Sequence, residues 1–479
     1  MSLLVLLAVP LIGALLLTAS GARARHALHL ITSGLTLVAA AGVVVAVGSA
    51  GAVTALGGIL RADALSAWIV ALVAVVGGLA ALEAARDARA HGRIGERWFL
   101  PLFHLFVFTM LAAVTTDDVG IMWVAIEGTT LASVFLVNAE RSRESLEAAY
   151  KYLLICSVGI ALAFVGTVLV YFGDVRAIGH VDHALRWTTL VELAPTLPGP
   201  LVQVAFVFLL VGYGTKAGLA PMHTWLPDAH SEAPAPVSAL MSGVLLSVGL
   251  YAVLRFKAIV DVAAGPDFSS RLLQAVGLAS VGVAALFLWG SANFKRMLAY
   301  SSIEHVGLIG LGLGFGGAWG VAGAMLHVAN HALAKSTLFL LAGRIRAAYG
   351  SAEIASVRGL RGAMPLTSRG FVAAMLALMG LPPFGLFVSE VMILRAGIEA
   401  GHLVVSVVAV ALLVLAFGGL LRSLHRMLDG EAPVAVRETS TWATIAPAAL
   451  ALALLVLTGL AWPPGLVQAL DRIVALVGS

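Results

Sequence analysis

The sequence predicts an all-α polytopic membrane protein, on the evidence of its composition and its apolar runs. Of its 479 residues, 60% are hydrophobic and only 11% are charged, and the mean hydropathy is +1.01. That balance leaves too little polar surface for a soluble globule, and runs of about 20 apolar residues, enough to span a bilayer, recur along the chain. The net charge of +4 is small and the arginines lie in short loops, so we expect no nucleic-acid partner.

About fourteen transmembrane helices follow when each span must hold about 20 mostly apolar residues. The seventh and the twelfth are predicted to be broken. Residues 174–200 are interpreted as a polar outside loop. Residues 465–477 are interpreted as a short helix in the membrane interface, because apolar residues recur there at helical spacing. The predicted spans are 3–20, 28–48, 63–82, 98–116, 119–138, 148–172, 201–226, 233–254, 272–292, 298–317, 320–343, 367–394, 402–421 and 443–462.

The distribution of basic residues predicts the orientation of these spans. With the N-terminus outside, 19 lysines and arginines lie in inside loops and 8 in outside loops, which leaves only Lys216 and Lys335 within spans. A missed helix would reverse the side of every later loop, and this bias would be lost. We therefore expect both termini outside.

The single cysteine, Cys156, limits the chemistry that the chain can hold. One thiol excludes a disulfide framework, a thiolate zinc site and a cysteine-ligated iron–sulfur cluster. No linker or charge run separates a soluble domain, so function must lie in the membrane or in docked partners. We expect no cofactor and no metal.

The stretch from Gly212 to Ser242 is the least compatible with a simple lipid-facing helix. It places Lys216, Pro221 and His223 within a few residues, directly after an apolar run. A charge at the centre of a bilayer costs about 3 kcal/mol on insertion scales and usually marks an ion or substrate pathway. Proline frees a backbone carbonyl that only protein or a water-filled cavity can satisfy at membrane depth.

A second break resembles the first. Helix seven breaks at Gly-Leu-Ala-Pro after Lys216, and helix twelve breaks at Gly380-Leu-Pro-Pro-Phe-Gly385 before Glu390. The two lie five helices apart, and because that offset is odd the units around them would run in opposite directions. Inverted repeats with broken helices point to a transport site near the midplane. The predicted divisions are 1–97, a three-helix segment; 98–256 and 271–425, the two five-helix repeats; and 426–479, a helix with an interfacial tail.

Other intramembrane polar groups fall on these repeats. His327, His331 and Lys335 are spaced i, i+4 and i+8 and share one face of helix eleven, where exposure to lipid would be very costly. Glu127 lies in helix five, one turn from Thr130. A lone buried histidine is more often a satisfied core group, which is our interpretation of His26, His104 and His402. For Glu127 and Glu390 the structural alternative is an ion pair.

These groups suit proton transfer. Burial disfavours the charged form of both lysine and glutamate, so a buried Glu–Lys pair can exchange protons in either direction. Separating the partners would then release the proton of the lysine to the next group. The predicted relay residues are Glu127, Lys216, His223, His327, His331, Lys335 and Glu390, with Lys151, His230, Ser247, Glu304 and His305 as possible further members.

Four motifs in this order resemble one family. KAGLAPMHTWLPDAHSEAPAPVSALMSGVLL, NFKRMLAYSSIEHVGLIGLG, HVANHALAKSTLFLLAG and GLPPFGLFVSEVMIL are similar to the antiporter-like proton-translocating subunits of respiratory NADH:quinone oxidoreductase, membrane-bound hydrogenases and multisubunit cation antiporters. The resemblance runs from about residue 98 to 425. Within the family, WVAIEGTTLASVFLVNAERSRESLEAAYKYLLICSVG and SSIEH most resemble hydrogenase-4 component F of formate hydrogenlyase-type complexes.

The resemblance implies roles for individual residues. Glu127 and Lys216 match the carboxylate and lysine of the first half-channel, Lys335 the central lysine, and Glu390 the terminal residue of the second half-channel. Some respiratory relatives carry lysine, or a residue near histidine, where this chain has Ser247. The route between the half-channels here would therefore use His223, water or serine hydroxyls.

The implied function is proton transport by a non-catalytic subunit in a bacterial or archaeal cytoplasmic membrane. Its implied partners are other membrane subunits and, through them, a peripheral redox arm that drives transport. Three alternatives stay open at this point: a subunit of NADH:quinone oxidoreductase, a sodium/proton antiporter module without redox coupling, and a scaffold with a vestigial channel.

Overall fold

A computed structural model describes residues 1–90, 96–178, 184–433 and 436–477, and it confirms a mostly helical chain. A π-helical segment, Met241–Leu245, joins α10 to α11. The α-helices are α1 Ser2–Ala19, α2 Ala22–Ala50, α3 Ala64–Ala90, α4 Glu96–Val114, α5 Val119–Val137, α6 Arg143–Ile178, α7 Trp187–Leu193, α8 Gly199–Ala217, α9 Trp225–Glu232, α10 Ala235–Leu240, α11 Leu246–Ala264, α12 Pro266–Gly290, α13 Phe294–Phe315, α14 Gly317–Tyr349, α15 Leu360–Ala363, α16 Pro365–Leu378, α17 Gly385–Glu399, α18 Leu403–Leu428, α19 Trp442–Leu460 and α20 Pro464–Val477.

In the described part of the chain, ten helices are long and apolar enough to cross a membrane, or eleven if α19 and α20, bent by 73°, count as one span. The other predicted spans do not qualify, for reasons visible in their residues. The apolar part of α4 is short, the twelfth predicted span is split into α16 and α17, and α14 carries polar groups that lower its hydropathy.

Two small elements on the predicted outside were not foreseen. The strands β1, Val53–Ala55, and β2, Leu60–Ala62, form an antiparallel hairpin. The interpretation of 174–200 as a loop is wrong at its start, where α6 continues to Ile178, and at Trp187–Leu193, which forms α7. Residues 179–183 lie outside the described residues. The helix is fixed by tertiary contact, because the Trp187 indole donates a hydrogen bond to the Arg255 carbonyl at 2.8 Å.

Both predicted helix breaks are present. α8 ends at Ala217, and Gly218 adopts a φ of 81° before the chain re-enters a helix at Trp225. In the same way α16 ends at Leu378, Gly380 has a φ of 67°, and α17 begins at Gly385. Glycine suits both positions because left-handed backbone carries a steric cost for other residues.

The helices are layered around two almost fully buried spans. In its most apolar 18-residue stretch the α10–α11 span, Ala235–Ala264, is wholly buried and α13 is 94% buried, whereas the corresponding stretches of α2 and α18 are only 28% buried. The polar side chains on α11, α13 and α14 are therefore held at the centre of the bundle, away from lipid. Close contacts hold α8 against α6: a Cβ on Gly212 would lie 2.5 Å from the Ala163 nitrogen.

A buried ion pair next to the hairpin joins Asp63, which directly follows β2, to Arg255 of α11. The Arg255 guanidinium donates to both carboxylate oxygens of Asp63, at 2.8 and 2.7 Å, and to the Ser66 hydroxyl at 3.0 Å. It also lies over the Trp187 ring, 4.3 Å from its centroid. Burial alone would raise the pKa of Asp63, but the charge and hydrogen bonds of Arg255 outweigh burial and hold that pKa below its usual value.

We expect Asp63→Asn to lower the free energy of unfolding by about 3–5 kcal/mol at neutral pH, because Arg255 would stay buried without its partner. A carboxyl group with a lowered folded-state pKa adds stability above its unfolded pKa of about 4 and loses it as pH falls through the folded value. The difference between variant and wild type should therefore shrink in acid. Thermal unfolding in detergent at several pH values measures it.

The matched control is Asp267→Asn, which removes an exposed ion pair with Arg271. That pair should contribute less than about 1 kcal/mol. Equal losses in the two variants would contradict the special weight given to the buried pair.

Candidate functional site

Lys216 occupies the last turn of α8, directly before the first break, and its side chain is fully buried. Its ammonium nitrogen donates to the Thr130 hydroxyl at 2.9 Å and to the Tyr152 hydroxyl at 2.8 Å. Tyr152 in turn is hydrogen-bonded to Ser133 at 2.7 Å. The lysine is thus held between α5 and α6 by neutral hydroxyl groups.

Glu127 reaches this lysine only through Thr130. The Thr130 hydroxyl donates to Glu127 Oε2 at 3.2 Å, and Ser157 donates to Glu127 Oε1 at 2.8 Å. No direct ion pair joins Glu127 to Lys216 among the described residues. Glu127 and Lys216 are therefore joined as a bridged pair, with the Thr130 hydroxyl between them.

Lys335, on α14, is fully buried as well. It donates to the Leu298 carbonyl and to the Ser301 hydroxyl, both on α13. Glu304, one turn from Ser301, is its charged neighbour, and Glu304 Oε2 accepts no hydrogen bond in the described structure. Like Lys216, this lysine has two neutral oxygen partners. Because an ammonium group can donate three hydrogen bonds, two partners do not use its full capacity.

The predicted histidines His327 and His331, on one face of α14, lie next to His305 of α13. His327 Nε2 and His305 Nδ1 are 2.9 Å apart, and His327 Nδ1 is 2.9 Å from the Ser389 hydroxyl of α17. The rings of His305 and His331 lie 5.3 Å apart. A hydrogen-bonded chain therefore runs from α17 through α14 to α13, and histidine can pass a proton along such a chain by exchanging its tautomers.

Glu390 lies at the second break. An ideal Cβ on Gly380 would come within 2.2 Å of Glu390 Oε2, so only glycine leaves room for the carboxylate there. Ligand atoms of Glu390, His305 and His327 all lie within 4.8 Å of one another. Glu390 is partly exposed, in contrast to the two histidines. Glu390 therefore forms the exposed end of the cluster that it makes with His305 and His327.

Aromatic rings and serines lie between the groups around Lys216 and those around Lys335. The Tyr152 and Trp225 rings are 4.8 Å apart, and the Trp225 and His230 rings are 6.2 Å apart. His230 is fully buried, and neither ring nitrogen has a hydrogen-bond partner in the described structure. Its charged neighbours are Lys335 and Lys295. His230 therefore stands between the first lysine and the second.

The π-helical segment adds a second link. Its Ser242 hydroxyl lies 2.8 Å from the hydroxyl of Ser302, the neighbour of Ser301 on α13. Such π-helical turns are often found at functional sites because they displace side chains from regular helical positions.

Three sequence-predicted residues lie apart from these groups. Lys151 is at the surface, ion-paired with Glu147 at 2.7 Å and with Asp228 at 3.0 Å. His223 lies in the first break, and its Nδ1 has no hydrogen-bond partner in the described structure. Ser247 is buried on α11, and no hydrogen bond of the described residues joins it to either lysine.

Sequence reasoning missed Tyr152, Ser157 and Ser389, which hold Lys216, Glu127 and His327 respectively. Each is a hydroxyl group in an apolar helix, and that was the only available signal. Hydroxyls are common in membrane helices, where they also bond to the preceding turn, so their partners cannot be identified without the helix packing.

The fold and the site define a multi-pass membrane protein with a line of ionisable groups through its centre, an arrangement typical of proteins that move ions across membranes. The family described as NADH:quinone oxidoreductase/Mrp antiporter, TM matches residues 116–416. The chain belongs to this family of antiporter-like membrane subunits.

Relatives of known name agree with this assignment. The chain is 39% identical to a hydrogenase-4 component F homolog of Methylacidiphilum infernorum over 78% of this chain and 80% of the relative. It is 35% identical to NADH-quinone oxidoreductase subunit N of Desulforudis audaxviator over 71% of this chain and 66% of that one. It is 32% identical to hydrogenase-4 component B of Escherichia coli, of which it spans 50%.

Solved structures share the whole fold. A chain of the membrane-bound sulfane sulfur reductase, an archaeal respiratory membrane complex, superimposes with a TM-score of 0.90 at 26% identity, covering 100% of this chain and 98% of that one. A chain of respiratory complex I from Thermus thermophilus gives 0.85 at 23% identity, with full coverage of both chains. These neighbours are subunits of multisubunit membrane complexes.

Proposed function

We propose that the chain is the proton-translocating membrane subunit of a multisubunit redox complex of the hydrogenase-4 type. The observation that carries the proposal is the bonding of Lys216 and Lys335: both are fully buried, and both donate to neutral oxygens. Ionisable side chains in a membrane interior are rare and mark ion or substrate pathways. Lysines held by neutral groups lose a proton more readily, because burial disfavours their charged form.

The proton passes from Glu127 through the Thr130 hydroxyl to Lys216. His230 then connects Lys216 to Lys335, since it stands between them and has free ring nitrogens in the described structure. From Lys335 the proton moves through the histidines of α13 and α14 to Glu390. Redox chemistry in partner subunits, including a peripheral arm, drives each step by moving charge next to Glu127.

The bundle spans a bacterial or archaeal cytoplasmic membrane fourteen times in this proposal, with both termini outside. Residues 98–256 and 271–425 are inverted five-helix repeats between an N-terminal segment, 1–97, and a C-terminal one, 426–479. The matching Gly-Leu-Xaa-Pro breaks after Lys216 and before Glu390 support the inverted arrangement.

The test is Lys216→Ala in the assembled complex. We expect proton uptake into everted vesicles, measured per electron transferred, to fall at least about a hundredfold, as when an acid–base group is removed. Lys257→Met is the control, because Lys257 is also buried but is paired with Asp261. Lys257 lies ten residues beyond Ser247 on α11, which is about 15 Å along the helix axis. Undiminished proton uptake in Lys216→Ala would falsify the relay.

The same vesicles separate this function from sodium exchange. Uptake that persists without the redox partners and depends on sodium would identify an antiporter module instead. Co-purification with nickel–iron hydrogenase subunits supports the hydrogenase-4 assignment, and co-purification with quinone reductase subunits contradicts it.

A further inference from the structure

The cluster around the second break has the ligands of a transition-metal site. His305, His327 and Glu390 come from α13, α14 and α17, and their three ligand atoms lie within 4.8 Å of one another. Two imidazole nitrogens and one carboxylate oxygen form a donor set that binds zinc with room for a further ligand. Imidazole also excludes the hard cations, because magnesium, calcium and sodium prefer oxygen ligands.

A further ligand and a charge balance are close by. The His331 ring lies 5.3 Å from that of His305, and His331 Nε2 has no hydrogen-bond partner in the described structure. Glu304 interacts electrostatically with Glu390, and its Oε2 is also without a hydrogen bond there. Two carboxylates balance the two charges of a divalent ion when Lys335, the charged neighbour of Glu304, is neutral, and a membrane interior requires such balance.

An ion can reach the cluster from the side of Glu390. This carboxylate is partly exposed, and Pro382 and Pro383 of the adjoining break are exposed as well. The carboxylate would capture the ion first, before the buried imidazoles replace its water. Binding would also join α17 to α13 and α14 across the break.

We propose that this cluster binds a zinc-class divalent ion, which then blocks the passage of protons through the second half of the bundle. The block rests on the proposed function, because the ion would occupy the nitrogen lone pairs that a proton relay needs. Binding itself does not depend on that function. Ligand atoms must be deprotonated to hold the metal, so binding should release protons.

The experiment is titration of the purified complex in detergent with Zn²⁺, with calorimetry for affinity and X-ray absorption for the ligands. We expect one site with imidazole ligands that excess Mg²⁺ does not displace. His327→Gln and Glu390→Gln keep the side-chain volume, and each should weaken binding at least about tenfold. His104→Gln is the matched control, because His104 and His29 form another buried pair, 2.8 Å between nitrogens, in which no carboxylate takes part.

Unchanged zinc affinity in both His327→Gln and Glu390→Gln, or an equal loss in His104→Gln, overturns the proposal. Melting temperatures of the variants exclude a general loss of folding. If Lys216→Ala leaves proton uptake unchanged while zinc still binds at this cluster, the proposed relay and the block are wrong but the zinc site stands. The failure of the proposed function and the failure of the zinc site are therefore distinguishable.

Discussion

Lys335→Met should stop proton transport almost completely, with a loss of at least about a hundredfold in protons moved per electron. Methionine is close to lysine in volume but has no proton to give, so the substitution removes chemistry and keeps packing. The lysine contacts Leu298 and Ser301 on α13 and has Glu304 as its charged neighbour. In the proposed relay the proton reaches the histidines of α13 and α14 through this side chain.

Proton uptake by everted vesicles measures the effect, alongside electron transfer by the complex. The same substitution at Lys257, paired with Asp261, is the control for loss of a buried lysine. If Lys335→Met moved protons at the wild-type ratio while Lys216→Ala did not, the second half of the route would have to run elsewhere.

Thr130→Val should lower proton transport about ten- to a hundredfold, and Thr130→Ser should retain most of it. Valine has the shape of threonine but lacks the hydroxyl that accepts from Lys216 at 2.9 Å and donates to Glu127 at 3.2 Å. Removing one member of a buried hydrogen-bonded group leaves its partners unsatisfied, at about 1–3 kcal/mol each. A ten- to hundredfold loss corresponds to about 1.4–2.8 kcal/mol, the cost of leaving one such partner unsatisfied.

The serine variant decides whether the effect is chemical. Serine restores the hydroxyl without the methyl group, so recovery in Thr130→Ser together with loss in Thr130→Val assigns the effect to proton transfer. Equal losses in both variants would mean that the methyl group and its packing matter. The proposal that the Thr130 hydroxyl carries the proton between Glu127 and Lys216 would then be wrong. The pH profile of transport adds an independent readout, because packing alone would not move it.

Much of the helix arrangement could be predicted because hydropathy and helix breakers act locally. Both breaks, at Gly218 and at Gly380, are where glycine and proline placed them. The stripe of His327, His331 and Lys335 lies inward as predicted, since exposure of these groups to lipid would be too costly. The short helix α7 was missed because it depends on the contact of Trp187 with Arg255, 68 residues away.

By itself, the sequence determined that this protein is a helical membrane protein of the antiporter-like family and that its ionisable groups lie inside. Those properties follow from the free energy of placing each side chain in lipid, which depends on residue type and spacing. Only the tertiary structure decided which oxygen each lysine contacts, that Thr130 separates Lys216 from Glu127, and that Glu390 meets two histidines. Hydrogen bonds need their atoms within about 3 Å, and that precision comes only from packing between helices distant in the chain.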